Sequence, residues 1–202
     1  MTASKPSTIE SFCLRDAIVQ VRCLDADEEL HRLYRYPGGD FHPAPPQYRM
    51  GRLDPPPGRS EEFGMLYAAD SLHTAALECG ALLLMPTSPP TFARSEFAAV
   101  DMPPFRHVVL KVRQRVRLLD FTNAATAMAF GLNTASLLDQ LGAWRDAAAS
   151  AVRALEEADA DMQICGICYR SRRNPAASNY ALLDGRYQRV FKTQEMEAPA
   201  WN

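Results

Sequence analysis

The sequence predicts a mixed α+β fold in a single domain spanning residues 1–202, with its core at about 30–190. Short apolar runs that read as strands are interspersed with alanine-rich amphipathic runs that read as helices, without a regular βαβ repeat. The chain has 202 residues, 47% hydrophobic and 23% charged. At that size roughly 70% of the unfolded surface can be buried without covalent staples. Fifteen prolines outnumber ten glycines and cluster at Pro43, Pro45 and Pro46, at Pro55–Pro57, at Pro86, Pro89 and Pro90, and at Pro103 and Pro104. Such clusters do not fit inside helices or central strands, so they mark ordered loops between elements.

Each element has its own signal. The mixed pattern over Glu28–Tyr36, ending in Leu-Tyr-Arg-Tyr-Pro, predicts a helix and then a strand. Residues 37–60 form a long Gly/Pro/Arg-rich connection, and loops of that length are often functional. Gly64–Ala69 reads as a buried strand. Asp70 is the predicted N-cap of a helix over about 71–84, with Leu72, Ala76, Cys79 and Leu83 as its apolar stripe. His107–Val112 and Val116–Phe121 read as strands joined by a turn at Arg113–Arg115. Thr122–Leu132 and Thr134–Leu141 are predicted short helices. Trp144–Ala160 is the clearest helix, with Val152 and Leu155 on its inner side. Its acidic end opposes the helix dipole and predicts fraying. Met162–Tyr169 reads as a strand and Arg170–Asn179 as a polar loop. Tyr180–Leu183 and Tyr187–Phe191 read as a final hairpin across Asp184-Gly185.

Several function classes are disfavoured. A net charge of −2 and a pI near 6.1 argue against direct nucleic-acid binding. No run approaches the ~18 apolar residues of a membrane span. The N-terminal MTASKPSTIESFCLRD has no continuous apolar stretch of the kind a secretory signal needs. Five cysteines at irregular spacing predict free thiols and a cytoplasmic location. Cys165 and Cys168 form C-x-x-C, but no second ligand pair accompanies them and the segment reads as a strand. They are expected to be buried core thiols. The four histidines show no ligand spacing, so structural roles and no metal are expected. No phosphate-binding loop, dinucleotide fingerprint or G-x-S-x-G elbow is present.

Three features carry candidate chemistry. Arg32, Arg35, Arg49, Arg52 and Arg59 are interleaved with Tyr34, Tyr36 and Tyr48. Guanidinium forks fit phosphate and tyrosine faces stack on rings, although a solvated charged loop has the same composition. Tyr67 closes a buried strand, and Glu78 follows beside an apolar helix face, where a carboxylate is costly unless paired. Tyr169-Arg-Ser-Arg-Arg-Asn runs from a strand into a loop, where polar clusters often line clefts.

Taken in order, these blocks resemble the RES domain, a toxin family named for its arginine, glutamate and serine. The resemblance runs through LYRYP at 33–37, GRLDPPP at 51–57, FGMLYAADSLHTAALE at 63–78 and the segment from Ile164 to Gly185. It implies a compact α+β fold similar to ADP-ribosyltransferase toxins. It also implies cleavage of the nicotinamide–ribose bond of NAD+ as substrate, with no true cofactor, and transfer of ADP-ribose to water, phosphate or a protein. Many members belong to bacterial toxin–antitoxin pairs and are neutralised by an Xre-type antitoxin. Carried onto this chain, the family arginine falls on Arg35, with Arg32 competing for the place, the glutamate on Glu78 and the serine on Ser171. Arg52 matches a second arginine and Tyr67 a pocket tyrosine. The implied catalytic set is Arg35, Tyr67, Glu78 and Ser171. NAD+ would be held by Arg35, Arg52, Tyr67, Ser171 and Asn179. Leu53-Asp54 and Pro175–Ser178 depart from the family pattern. A non-catalytic module of the same fold and an RNase-type toxin are the alternatives.

Overall fold

The computed structural model describes residues 8–85, 87, 91–94, 103–133, 141–158 and 163–197. In chain order the elements are β1 (Thr8–Leu14), β2 (Ala17–Leu24), β3 (Glu29–Tyr34), β4 (Met65–Ala69), α1 (Leu72–Glu78), β5 (Leu82–Met85), β6 (Thr91–Arg94), β7 (Arg106–Val112) and β8 (Val116–Asp120). They continue with α2 (Ala124–Ala129), α3 (Leu141–Glu157), β9 (Ile164–Arg170), β10 (Ser178–Leu183) and β11 (Phe191–Met196). Among the described residues, nine strands form one sheet in the order β1-β2-β8-β9-β10-β4-β3-β7-β11, and β5 and β6 form a separate pair. The expected mixed α+β class is found. Among the described residues no helix is long and apolar enough to cross a membrane.

Two short connections force the large sheet to curl. β2 is second in the order and β3 seventh; β7 is eighth and β8 third. In a flat sheet five strand spacings would cover about 24 Å. The linkers 25–28 and 113–115 reach at most about 17 Å and 14 Å. The two arms therefore fold toward each other. Leu30, Val108 and Leu110 of β3 and β7 share one core with Leu24, Val116 and Leu118 of β2 and β8. Arg113–Arg115 is thus a link between arms, and β7 and β8 are not neighbours in the sheet. The other face carries α2 and α3. Trp144, Ala148, Val152 and Leu155 pack there with Val19, Leu119, Ile167 and Leu183. A third cluster seats Ala75, Ala76 and Leu77 of α1 against Leu33 and Ala69.

Several elements differ from the sequence reading. Glu28–Tyr36 contains no helix: Glu28 belongs to the turn after β2, its carboxylate accepting from the Asp25 N–H at 2.7 Å, and β3 pairs along its length with β7. The helix after β4 is capped by Ser71, whose Oγ accepts from Thr74 N–H, rather than by Asp70. Asp70 instead accepts from Ser178 N–H at 2.8 Å. That helix ends at Glu78 instead of about residue 84. Gly80 has φ +74°, its N–H donates to Leu77 O, and Ala81 N–H donates to Ala76 O. This is a Schellman stop, for which glycine is the favoured residue. Leu83 then lies on β5, half exposed, and the buried helix face is Thr74–Leu77.

The final hairpin is also absent. β10 is an interior strand between β9 and β4. Tyr187–Val190 instead makes a tight turn, with Val190 N–H and Phe191 N–H both donating to Tyr187 O. β11 then pairs with β7. The predicted helix at Thr134–Leu141 falls mainly outside the described residues. The clearest predicted helix is α3, with Val152 and Leu155 buried. Cys165 and Cys168 are both buried in β9, as expected. They face the same core, since two β9 residues, Cys165 and Gly166, oppose the one β8 residue Leu118 between Arg117↔Ile164 and Leu119↔Ile167. This bulge re-aims side chains that strict alternation would separate.

Candidate active site

The site lies where the sheet splits. β4 is laddered to β10 from Met65 to Ala69. Toward β3, the paired residues described are only His31 and Ala69. Beyond that bridge the strands diverge, and a cavity of about 450 Å³ opens there. The backbone carbonyls freed by the split need donors. Arg32 serves one of them, its Nη1 donating to Tyr67 O of β4, while its Nε donates to Gly39 O of the loop after β3 and its Nη2 to the Tyr36 hydroxyl, each at 2.7 Å. Arg32 is buried, and burial pushes its guanidinium below the ordinary arginine range. Among the described residues no carboxylate comes within ion-pair distance of it. Asp40 offsets its burial only from a distance, and a buried cation lacking a contact ion pair is costly and favours an anionic partner.

Glu78 sits in the last turn of α1, at the negative end of the helix, which disfavours a carboxylate. Two donors from the loop after β9 offset this. The Ser171 hydroxyl donates to Glu78 Oε1 at 2.5 Å, and Arg172 N–H donates to the same oxygen at 3.1 Å. Ser171 is itself fixed: its Oγ accepts from Asn174 N–H at 2.9 Å and its N–H donates to Ala177 O. Glu78 lines the cavity, and the buried Ser171 stands behind it.

Tyr67 also lines the cavity. Its hydroxyl accepts from Leu53 N–H at 2.9 Å and bonds to Asp54. Burial raises the phenol well above its ordinary range. Asp54 accepts from Gly51 N–H at 2.5 Å; burial raises its carboxyl, and the Gly51 and Tyr67 donors oppose that. A Cβ at residue 51 would lie 2.6 Å from the Tyr67 hydroxyl, so only glycine lets this loop close over the ring. Arg145 of α3 donates to Gly51 O at 3.1 Å. The guanidinium of Arg52 lies 3.6 Å from the centre of the Trp144 ring and faces the cavity. Asn179, at the start of β10, is 2% exposed and lines the cavity, with no hydrogen-bond partner for Nδ2.

The fold thus gathers Arg52, Tyr67, Glu78 and Asn179 around one cavity, with Ser171 in contact through Glu78. Arg35 is placed differently. Its guanidinium stacks on Phe105, 3.7 Å from the ring centre, and Arg32 is the one of the two that lines the cavity. Sequence reasoning missed Asp54 and His31, and it singled out Tyr36 and Tyr169 only as members of candidate segments; all four also contribute to the wall. Asp54-Pro55 is a turn-initiating pair and was the available signal for that loop. Tyr169 offers none beyond its place at a strand end. Among the described residues no group of three or more His, Cys, Asp or Glu is arranged to hold a metal ion.

A mixed sheet split at one bridge, with a carboxylate on one bank and a buried arginine on the other, defines the cleft. The sequence matches the RES domain over residues 27–201, and the chain belongs to that family. Its fold is similar to a chain in the crystal structure of the M. tuberculosis MbcT–MbcA toxin–antitoxin complex, with a TM-score of 0.54 and 14% identity over 86% of each chain. No curated protein matches the chain significantly.

Proposed function

We propose that this protein is an NAD+-consuming toxin that cleaves the bond between nicotinamide and ribose and passes ADP-ribose to water, phosphate or a protein. The observation that carries this reading is the Glu78 carboxylate held by Ser171 at the wall of a cleft whose other wall carries the buried cation of Arg32. NAD+ offers a matching distribution of charge: a diphosphate and a ribose that becomes cationic as the bond breaks. Arg32 and Arg52 seat the diphosphate. Tyr67 walls the nicotinamide end. The unpartnered Asn179 amide donates to a ligand oxygen.

Loss of nicotinamide passes through an oxocarbenium-like transition state. Glu78, fixed beside the ribose, stabilises that charge and binds a ribose hydroxyl. The departing ring is already a pyridinium, so it needs no proton. Ser171 holds Glu78 in its reactive pose; no base is placed to make it a nucleophile.

Membership of the RES family and the fold shared with a chain of a toxin–antitoxin complex support a cytoplasmic toxin restrained by a cognate antitoxin, of Xre type by family resemblance. The deciding experiment is NAD+ turnover by purified protein, with and without phosphate, with products resolved by mass. Release of nicotinamide establishes the bond cleaved, and the partner product names the acceptor. Absence of turnover with water, phosphate and protein acceptors overturns the proposal in favour of a binding module or an RNase.

A further inference from the structure

His31 and His107 have no part in the roles assigned above. They lie diagonally across the β3–β7 ladder, where His31 pairs with Val109 and Leu33 with His107. Their rings are stacked, 5.3 Å apart and 18° from parallel. His31 Nδ1 is 3.1 Å from His107 Nε2. His107 is buried, whereas His31 forms part of the cavity wall that also holds Glu78. Two ring nitrogens at that distance share one proton, one donating and the other accepting. When the proton sits on His31 Nδ1, the Nε2 of that ring carries a lone pair. This is the arrangement of a base oriented by a second group.

We propose that His31 is the proton acceptor for the molecule that captures ADP-ribose, and that His107 is its positioning residue. This rests on the NAD+-cleaving reading. An oxygen of water or hydrogen phosphate forms a bond to the anomeric carbon of the ribose. The carbon–nitrogen bond breaks, and its electron pair neutralises the pyridinium nitrogen of nicotinamide. The proton of the attacking oxygen passes to His31 Nε2. Glu78 takes no proton in this step. The His31 imidazolium keeps its Nδ1–H on His107 Nε2, so the pair takes up one charge and resists a second.

The surroundings suit a base at neutral pH. Glu29 on the same strand and Asp70 at the end of β4 favour the imidazolium, but burial outweighs them and holds His31 below the ordinary histidine range. Burial and the neighbouring His31 do the same to His107. On β7 the remaining charges are Arg106, next to His107, and Lys111, whose ammonium lies 3.5 Å from Asp27 and 3.9 Å from Glu29; on β3 the buried Arg32 follows His31. On α1, Glu78 shares the cavity.

The test compares wild type, His31→Gln, His107→Gln and Glu78→Gln for NAD+ turnover between pH 5 and 9, in water alone and with added phosphate. Imidazole resonances of the free protein and of its ADP-ribose complex are titrated in parallel. Wild-type kcat is expected to fall on the acid side through one ionisation. His31→Gln should lose about 10²–10⁴-fold in kcat and lose that acid limb, with KM nearly unchanged. His107→Gln should keep the limb but displace its midpoint. ADP-ribose should move the His31 resonances, and the two imidazoles should titrate as a coupled pair. His31→Asn replaces His31→Gln if the latter does not fold. Unchanged kcat and acid limb in the His31 variant, with Glu78→Gln inactive, overturns this inference and leaves the NAD+ reading intact. Independent titration of the two rings near the ordinary histidine value overturns it as well. A wild type without turnover overturns the NAD+ reading itself, and this inference with it.

Discussion

The Ser171 hydroxyl reaches across from the loop after β9 to hold the carboxylate of Glu78, 2.5 Å away at the end of α1. The two residues are 93 positions apart in the chain, and neither is positioned without the other's element. Ser171→Ala removes the hydroxyl that holds Glu78, keeps the Arg172 N–H bond to it, and strips Asn174 N–H of its acceptor. It should lower kcat for NAD+ about 100-fold, the cost of a displaced reacting group, and change KM much less. Steady-state kinetics on the variant check this. A drop confined to KM would assign Ser171 to ligand binding instead.

Arg32→Ala removes three hydrogen bonds at the fork of the sheet and leaves Tyr67 O and Gly39 O without them. The expected loss is about 3 kcal/mol, or roughly 6–12 °C in Tm. KM for NAD+ should rise at least about tenfold, for one lost charge-assisted phosphate contact. Arg35→Ala removes a stacking contact on Phe105 outside the cavity wall and should raise KM less. Thermal scans and kinetics on the pair separate the two arginines.

Stability should fall in mild acid. His31 and His107 are both held below the ordinary histidine range in the folded protein. As pH drops through about 6.5, the unfolded chain takes up protons that the folded pair resists. The stabilisation is complete above that value and is lost as pH falls toward the folded pKa values. Tm should therefore decline between pH 7 and pH 5, and His107→Gln should flatten the decline.

Thiol chemistry should report the fold. Burial pushes the Cys165 thiol up to about 11 and the Cys168 thiol up to about 12, and Cys23 is buried and raised too. Cys13 and Cys79 are exposed, although desolvation of its sulfur raises the Cys79 thiol and should slow its labelling. An alkylating reagent at pH 8 should label Cys13 and Cys79 in the native protein and all five after unfolding. Cys79 lines the cavity, so ADP-ribose should protect it and leave Cys13 unaffected. Peptide mass mapping distinguishes the sites.

Local signals carried much of the fold. The strand at Met65–Ala69, the long α3 and the buried Cys165 and Cys168 follow from runs of apolar residues that act within their own segment. Non-local facts were not legible. Val116 does not announce that its strand leaves β7 to pair with Leu24, because the curl arises from linkers acting on a whole sheet. Gly80 was a readable stop that the apolar spacing through Leu83 overrode. Tyr187 and Phe191 read as a strand since both are apolar, but their burial comes from a turn packed under Phe41. The site behaved similarly. Glu78 and Ser171 were visible as costly or polar residues in structured places. The contrast between Arg32 and Arg35 depends on which side of β3 opens onto a gap, and alternation alone does not say where a sheet splits.

The single bridge between His31 and Ala69 divides the binding groups between two banks. Tyr67, Glu78 and Asn179 ride on β4, α1 and β10, whereas Arg32 rides on β3 with β7 and β11 behind it. On the proposed function, a dinucleotide lying across the gap would replace the missing ladder with its own bonds and act as a rivet through the seam. Substrate and scaffold would then be partly interchangeable. The protein would lend the ligand a shape, and the ligand would supply the continuity that the backbone leaves out.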